Sequence, residues 1–151
     1  MPPKENHMNA WKYTLSATVL AAAVALLPGC ATFGGGSRGV VLSTSPSEPS
    51  AEGTARFNVT KNDNTGIDVE VKHLAHPDKL TPPANSYVVW TKSNVSPTPQ
   101  NIGAMKVDAD LNGSFVAETP LHAFDLFVTA ETSGQAQAPT GASLLWTTYS
   151  R

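Results

Sequence analysis

Past residue 53 the chain alternates oily and wet positions with a period of two. In 67–72, Ile67, Val69 and Val71 face one way and Asp68, Glu70 and Lys72 the other, the pattern of a strand with one wet face. Phe57 and Val59 share a face in 56–60, and the turn cluster Asn62-Asp63-Asn64-Thr65-Gly66 joins the two runs into a predicted hairpin. Residues 87–91 read Tyr-Val-Val-Trp-Thr and are apolar on both faces. That predicts a central strand of a two-layer core, with Trp90 as its main anchor. Further strands are expected over 102–107, 114–118, 124–130 and 144–149. In 114–118, Phe115 and Ala117 share a face; in 124–130, Phe124, Leu126, Val128 and Ala130 lie opposite Asp125, Phe127 and Thr129. Val40-Val41-Leu42 predicts one more strand, at an edge.

Beyond the N-terminal region, no stretch carries a 3.6-residue apolar period, and Pro/Gly-containing loops separate the strands. Seven strands and an eighth at 40–42 therefore predict an all-β, antiparallel β-sandwich of 7–8 strands. Trp90, Trp146, Phe124 and Phe127 are its expected bulky core members. A closed barrel is the alternative architecture.

The N-terminal region has a different composition. Residues 14–27 are apolar or small at nearly every position and uncharged, with Lys4 and Lys12 ahead of them. This is the build of a secretory signal, and it is shorter than the roughly 20 apolar residues a spanning helix needs. Met1 and Met8 are both plausible starts. The run ends in Leu27-Pro28-Gly29-Cys30, which resembles the lipobox of bacterial lipoproteins, although Pro28 is a less common choice at the variable position. The resemblance implies that Cys30 becomes the first mature residue and carries acyl chains. At ~0.8 kcal/mol per buried CH₂, two or more chains would anchor it firmly. Ala31 is not the Asp that retains such proteins at an inner membrane, so an outer membrane is implied if the cell has one. The alternatives are a plain signal peptide with an incidental Cys30, or an uncleaved anchor. Gly34-Gly35-Gly36-Ser37 and the Ser/Pro-rich 45–49 follow and suit a flexible spacer. The expected organisation is a signal peptide over 1–29, a lipidated Cys30 with a tether over 30–53, and a sandwich domain over 54–151.

Charge narrows the partners. The 151-residue chain is net −2 with both signs scattered. No Lys/Arg run tracks a phosphate backbone, so nucleic acid is not an expected partner. The single Cys excludes an intramolecular disulfide, which leaves apolar burial to hold an exported domain.

The C-terminal half carries a series of short motifs: Tyr87-Val88-Val89-Trp90, Asn101-Ile102-Gly103-Ala104-Met105, the turn Asp108 to Gly113, the apolar strand ending in Thr129-Ala130-Glu131, and Ala138-Pro139-Thr140-Gly141. In this order they resemble the extracytoplasmic C-terminal domain of the anti-sigma-K factor family, over 87–151, less than half of the chain. The resemblance implies an immunoglobulin-like β-sandwich. Members of that family also carry a cytoplasmic sigma-binding helical region and a membrane span. Here only a leader and a tether are expected ahead of the sandwich, so anti-sigma activity is not carried over.

No constellation for catalysis stands out. Asp108, Asp110, Asn112 and Gly113 match the front half of a Ca²⁺ loop, but Thr119 stands where a bidentate Glu is expected. Such residues also make ordinary hairpin turns, and that is the preferred reading. His73 and His76, with Asp78 nearby, lack a third and fourth ligand in sequence. His122 is a lone base, and no G-x-S-x-G elbow is present. The expectation is a non-enzymatic lipoprotein of the cell envelope without a cofactor. It would bind the membrane through its anchor and use the sandwich to engage an envelope protein or to sense. Envelope polysaccharide or Ca²⁺ binding is the alternative, and exposed aromatics in a line across one sheet would favour sugar stacking.

Overall fold

A computed structural model describes residues 39–151. The leader, Cys30 and the first part of the expected tether lie outside the described residues. The strands are β1 (Val40–Val41), β2 (Ser43–Thr44), β3 (Glu52–Val59), β4 (Thr65–Lys72), β5 (Ser86–Ser93), β6 (Gln100–Ala104), β7 (Lys106–Val107), β8 (Gly113–Thr119), β9 (Ala123–Glu131) and β10 (Ser143–Ser150). A 3₁₀ turn occupies Pro77–Lys79. Among the described residues no helix is long and apolar enough to cross a membrane.

The strands form two five-stranded sheets, β1-β3-β4-β8-β7 and β2-β10-β9-β5-β6, with antiparallel pairing throughout. The antiparallel β-sandwich expected from the alternation is thus present. At each edge the chain crosses from one sheet to the other: Leu42 separates β1 from β2, and Met105 separates β6 from β7. Both crossing residues are buried in the core. The two sheets are therefore joined by the chain along both edges, and the edge strands β1, β2 and β7 are only two residues long, one of the ways a sheet edge is kept from pairing with another chain. Counting each crossing strand once gives eight, the number of runs in the sequence.

The stretch 39–53 is a correction to the expected boundary. It is not spacer: Leu42, Ser45, Glu48 and Ala51 are buried, and β1 pairs with β3. Its polar, Ser/Pro-containing composition conceals this because Glu48 meets its partner, the Tyr87 hydroxyl, at 3.2 Å and far along the chain.

Between the sheets lie Ala55, Phe57, Ile67, Val69, Val71 and Phe115 from the first, and Tyr87, Val89, Phe124, Leu126, Val128 and Leu145 from the second. Phe57 stacks on Tyr149 at 4.3 Å and meets Phe124 edge-on at 6.0 Å. Of the four bulky core residues expected, Phe124 belongs to this cluster and Trp90 is fully buried outside it, while Phe127 and Trp146 are not buried. Trp90, Phe127 and Trp146 share the opposite, outer face of the second sheet. The parity of β9 and β10 sets this: Phe127 alternates with Leu126 and Val128, and Trp146 follows the fully buried Leu145.

Gly103 illustrates a local demand of this fold. It has φ 140° where the β5–β6 pairing shifts register between Val89 and Trp90, and an added Cβ would lie 2.9 Å from the Phe115 ring. Gly103→Ala is expected to lower stability by about 1–3 kcal/mol. It would be read as a reduced urea midpoint with an unchanged slope.

Candidate functional site

The two outer faces differ in chemistry. On the first sheet Arg56 lies 3.1 Å from Glu70 and 3.8 Å from Asp68, all substantially exposed. Such surface pairs contribute little to stability, and Val116 stands exposed beside them. On the second sheet, Trp90, Phe127 and Trp146 sit in register across β5, β9 and β10. They form one aromatic row over three strands.

Exposure changes along this row. Trp90 is 0% exposed, Phe127 is half-buried and Trp146 is 41% exposed. Trp90 lies nearly parallel to Phe127, with an interplanar angle of 13° and centroids 6.4 Å apart. The loop over 132–142 covers the buried end. It leaves β9, reaches across β5 to β6 and returns to β10. Asn101 of β6 holds it by donating from Nδ2 to the carbonyls of Gly134 (3.1 Å) and Ala136 (2.9 Å). The same side chain accepts from the Gly103 N–H at 2.8 Å.

Glu131 holds the returning end of the loop. Its carboxylate accepts from the Thr140 N–H (2.9 Å), the Thr140 hydroxyl, the Gly141 N–H (3.3 Å) and the Thr129 hydroxyl. Thr129 Oγ1 in turn accepts from Trp90 Nε1 at 2.8 Å. A polar chain therefore runs from Trp90 through Thr129 and Glu131 to the Pro139-Thr140-Gly141 turn. Burial alone would raise the Glu131 pKa, but the hydrogen bonds from Thr129, Thr140 and Gly141 outweigh it and hold the carboxyl below its ordinary value. Tyr87 anchors a second buried contact by donating toward the Ala75 carbonyl (2.8 Å) and Glu48. Burial, then the charge and hydrogen bond of Glu48, push its phenol above the usual range.

Four of the motifs spread through 87–141, those with Trp90, Asn101, Glu131 and Thr140, thus meet in space as the frame of one loop. Glu48 and Glu131 are the residues sequence reasoning missed. For Glu131 the signal was a carboxylate closing an otherwise apolar strand; Glu48 gave none.

Beside this frame the exposed end of the aromatic row floors an open trough of about 510 Å³, within the ~300–1,000 Å³ usual for ligand clefts. Phe127 and Trp146 line its floor, and Pro97, Pro99 and Pro139 its rim. Polar groups come from Lys92, Asp125, Ser143 and Thr148. Lys92 and Asp125 are cross-strand partners, and Thr148 Oγ1 donates to Asp125 Oδ1 at 2.8 Å.

The candidate residues from the sequence lie elsewhere. Asp108 caps its own turn: Oδ1 accepts from the N–H groups of Asp110 (3.0 Å) and Asn112 (2.8 Å), and Oδ2 from Asn112 Nδ2 (3.2 Å). These bonds, led by that from the Asn112 backbone, lower its pKa. With both oxygens engaged inside the loop, millimolar Ca²⁺ is expected to leave the thermal midpoint unchanged; a rise of several degrees would reverse this reading. His73 sits at φ 57° just after β4 and His76 just before the 3₁₀ turn. Among the described residues, no three His, Cys, Asp or Glu side chains converge as metal ligands. His122 Nε2 lies 3.1 Å from the Asp63 carbonyl oxygen and 3.6 Å from Asp63 Oδ2, and Arg151 donates to Asp63 Oδ1 at 2.8 Å. The Arg151 hydrogen bond and charge lower the Asp63 pKa. This cluster closes one end of the sandwich. Cys30 lies outside the described residues.

No known protein-family profile matches the chain, and no curated protein matches it.

Proposed function

We propose that this chain is an extracytoplasmic, lipid-anchored, non-catalytic binding module of the cell envelope, held there through Cys30, whose working surface is the outer face of the second sheet. The observation that carries the reading is Trp146. A large aromatic side chain stands 41% exposed in a trough one side of which, at Pro139–Gly141, is held by hydrogen bonds to the buried Glu131. The opposite outer face carries the Arg56 ion pairs and an isolated exposed Val116 but no aromatic row, so the two faces are not equivalent. The lipobox resemblance supports the address, and the resemblance to an extracytoplasmic sandwich supports a role in sensing or interaction outside the cytoplasm.

Two measurements on the full chain in cells test this. A clickable palmitate analogue should label the wild type and not Cys30→Ser, with the label in the membrane fraction. A photo-crosslinking residue at Ser143, on the trough, should give envelope adducts that the same residue at Val116, on the other sheet, does not. An unlabelled protein in the soluble fraction would contradict the address. Equal or absent adducts at the two positions would contradict the working surface.

A further inference from the structure

Resting on that reading, we infer that the Trp146 trough is a carbohydrate subsite that takes a β-linked pyranose chain, with one ring stacked on the Trp146 indole. Its floor is aromatic and its walls carry hydrogen-bonding groups, the two things a pyranose ring presents: an apolar C–H face and a rim of equatorial hydroxyls. Asp125 has one oxygen engaged by Thr148 and a second that can accept from a sugar hydroxyl. Lys92 has no ion-pair partner among the described residues and can donate. Lys92 and Asp125 stand opposite each other in register, so the trough carries both signs and no net charge. That balance suits a neutral, polyhydroxylated ligand better than an anion or a cation.

The surroundings disfavour a folded protein as the occupant. A stable protein interface needs roughly 800 Å² from each partner with a broad apolar centre. The exposed Val40, Val41, Val59 and Val116 belong to strands of the first sheet; Val95, in the loop that also carries Pro97 and Pro99, does not line the trough and adds one apolar side chain to that loop. The aromatic floor is also preorganised. Phe127 is backed by the buried Trp90, and the loop bearing Pro139 is fixed at both ends, by Asn101 and by Glu131. A site fixed in advance loses little freedom on binding, which suits a ligand that offers few strong contacts. A β-linked chain presents its rings as a flat ribbon and so can lay one C–H face on an exposed indole.

The test uses the full-length protein in an amine-oxide detergent, which has no sugar headgroup, titrated with chitohexaose and cellohexaose and followed by saturation-transfer NMR on the ligand. Transfer to the axial ring protons is expected. Trp146→Ala should weaken binding about tenfold or more, Trp146→Phe should retain most of it, and Val116→Ala should leave it unchanged. Asp125→Ala removes the acceptor without touching the inner core and should weaken binding as well, which keeps the test decisive if Trp146→Ala does not fold. Absence of transfer from both oligosaccharides, transfer that survives Trp146→Ala and Asp125→Ala alike, or stronger transfer to the helical maltohexaose would each overturn the inference. The Ser143 adducts separate the two levels. Protease-sensitive adducts without oligosaccharide binding overturn the carbohydrate inference and leave the binding module standing, whereas no adducts and no binding remove both.

Discussion

Trp90→Ala is expected to lower the stability of the domain by about 3–5 kcal/mol, the range for deleting a fully buried Trp side chain. Trp90 is 0% exposed yet lies outside the inter-sheet cluster. Its loss opens a cavity beneath the 132–142 loop and removes the donor that Thr129 Oγ1 accepts at 2.8 Å. It also takes away the ring that backs Phe127. Trp90→Phe retains a stacked ring and loses the N–H, so about 1–2 kcal/mol is expected. Urea unfolding of the purified full-length variants measures both. A Trp90→Ala effect below about 1 kcal/mol would mean that the loop does not depend on this anchor.

Glu131→Ala is expected to lower stability by about 2–3 kcal/mol, because it strands the buried Thr129 hydroxyl and unties the partly buried Thr140 and Gly141 donors. Glu131 is 1% exposed and serves as acceptor for two hydroxyls and two backbone N–H groups. At about 4–8 °C per kcal/mol, the thermal midpoint should fall by about 8–24 °C. Glu131→Gln keeps the shape but replaces one acceptor oxygen with a donor, and an intermediate loss is expected. The same residue sets a pH dependence. Its carboxyl titrates lower in the folded state than its ordinary value of 4.5. The stability it contributes is therefore fully present above that value and is lost as pH falls through the folded-state value. Asp63 and Asp108 are shifted in the same direction and add to the acid sensitivity. Stability curves of wild type and Glu131→Gln should converge as the solution is acidified; parallel curves would show that the carboxylate charge is not what holds the loop.

The sheets were legible in the sequence wherever one face is wet. The alternation in 67–72 is β4, and the parity of 124–130 puts Phe124, Leu126 and Val128 inward. Parity lost its power where both faces are covered. In β5, Tyr87 and Val89 face the other sheet while Val88 and Trp90 face the loop, and an all-apolar run cannot say which is which. Trp146 was expected inside because of its size. Its neighbour Leu145 already fills that position, and size does not override the two-residue period. The sheet crossings at Leu42 and Met105 also left no mark, since a strand that changes sheets keeps its extended backbone.

The candidate site was less legible for a different reason. Its rim read as separate loops, and its floor residues Phe127 and Trp146 read as strand core. Pro97 and Pro99 marked one loop and Pro139 another, and nothing local says that both border the same trough. The Glu131 contacts with Thr140 and Gly141 span a loop whose length fixes no conformation by itself. The Asp108–Asn112 turn, the more conspicuous chemistry of the sequence, is satisfied by its own hydrogen bonds. The less conspicuous Trp146 was left on the surface.

Hydroxyl-radical footprinting of Trp146 addresses the working surface whatever its occupant. The full chain is oxidised once as purified protein and once in isolated native envelopes, and oxidation is mapped at Trp146 and at Val116, which is 77% exposed on the other sheet. Strong protection of Trp146 in the envelopes with unchanged Val116 is the predicted result. Trp146 oxidised equally in both preparations would contradict the account.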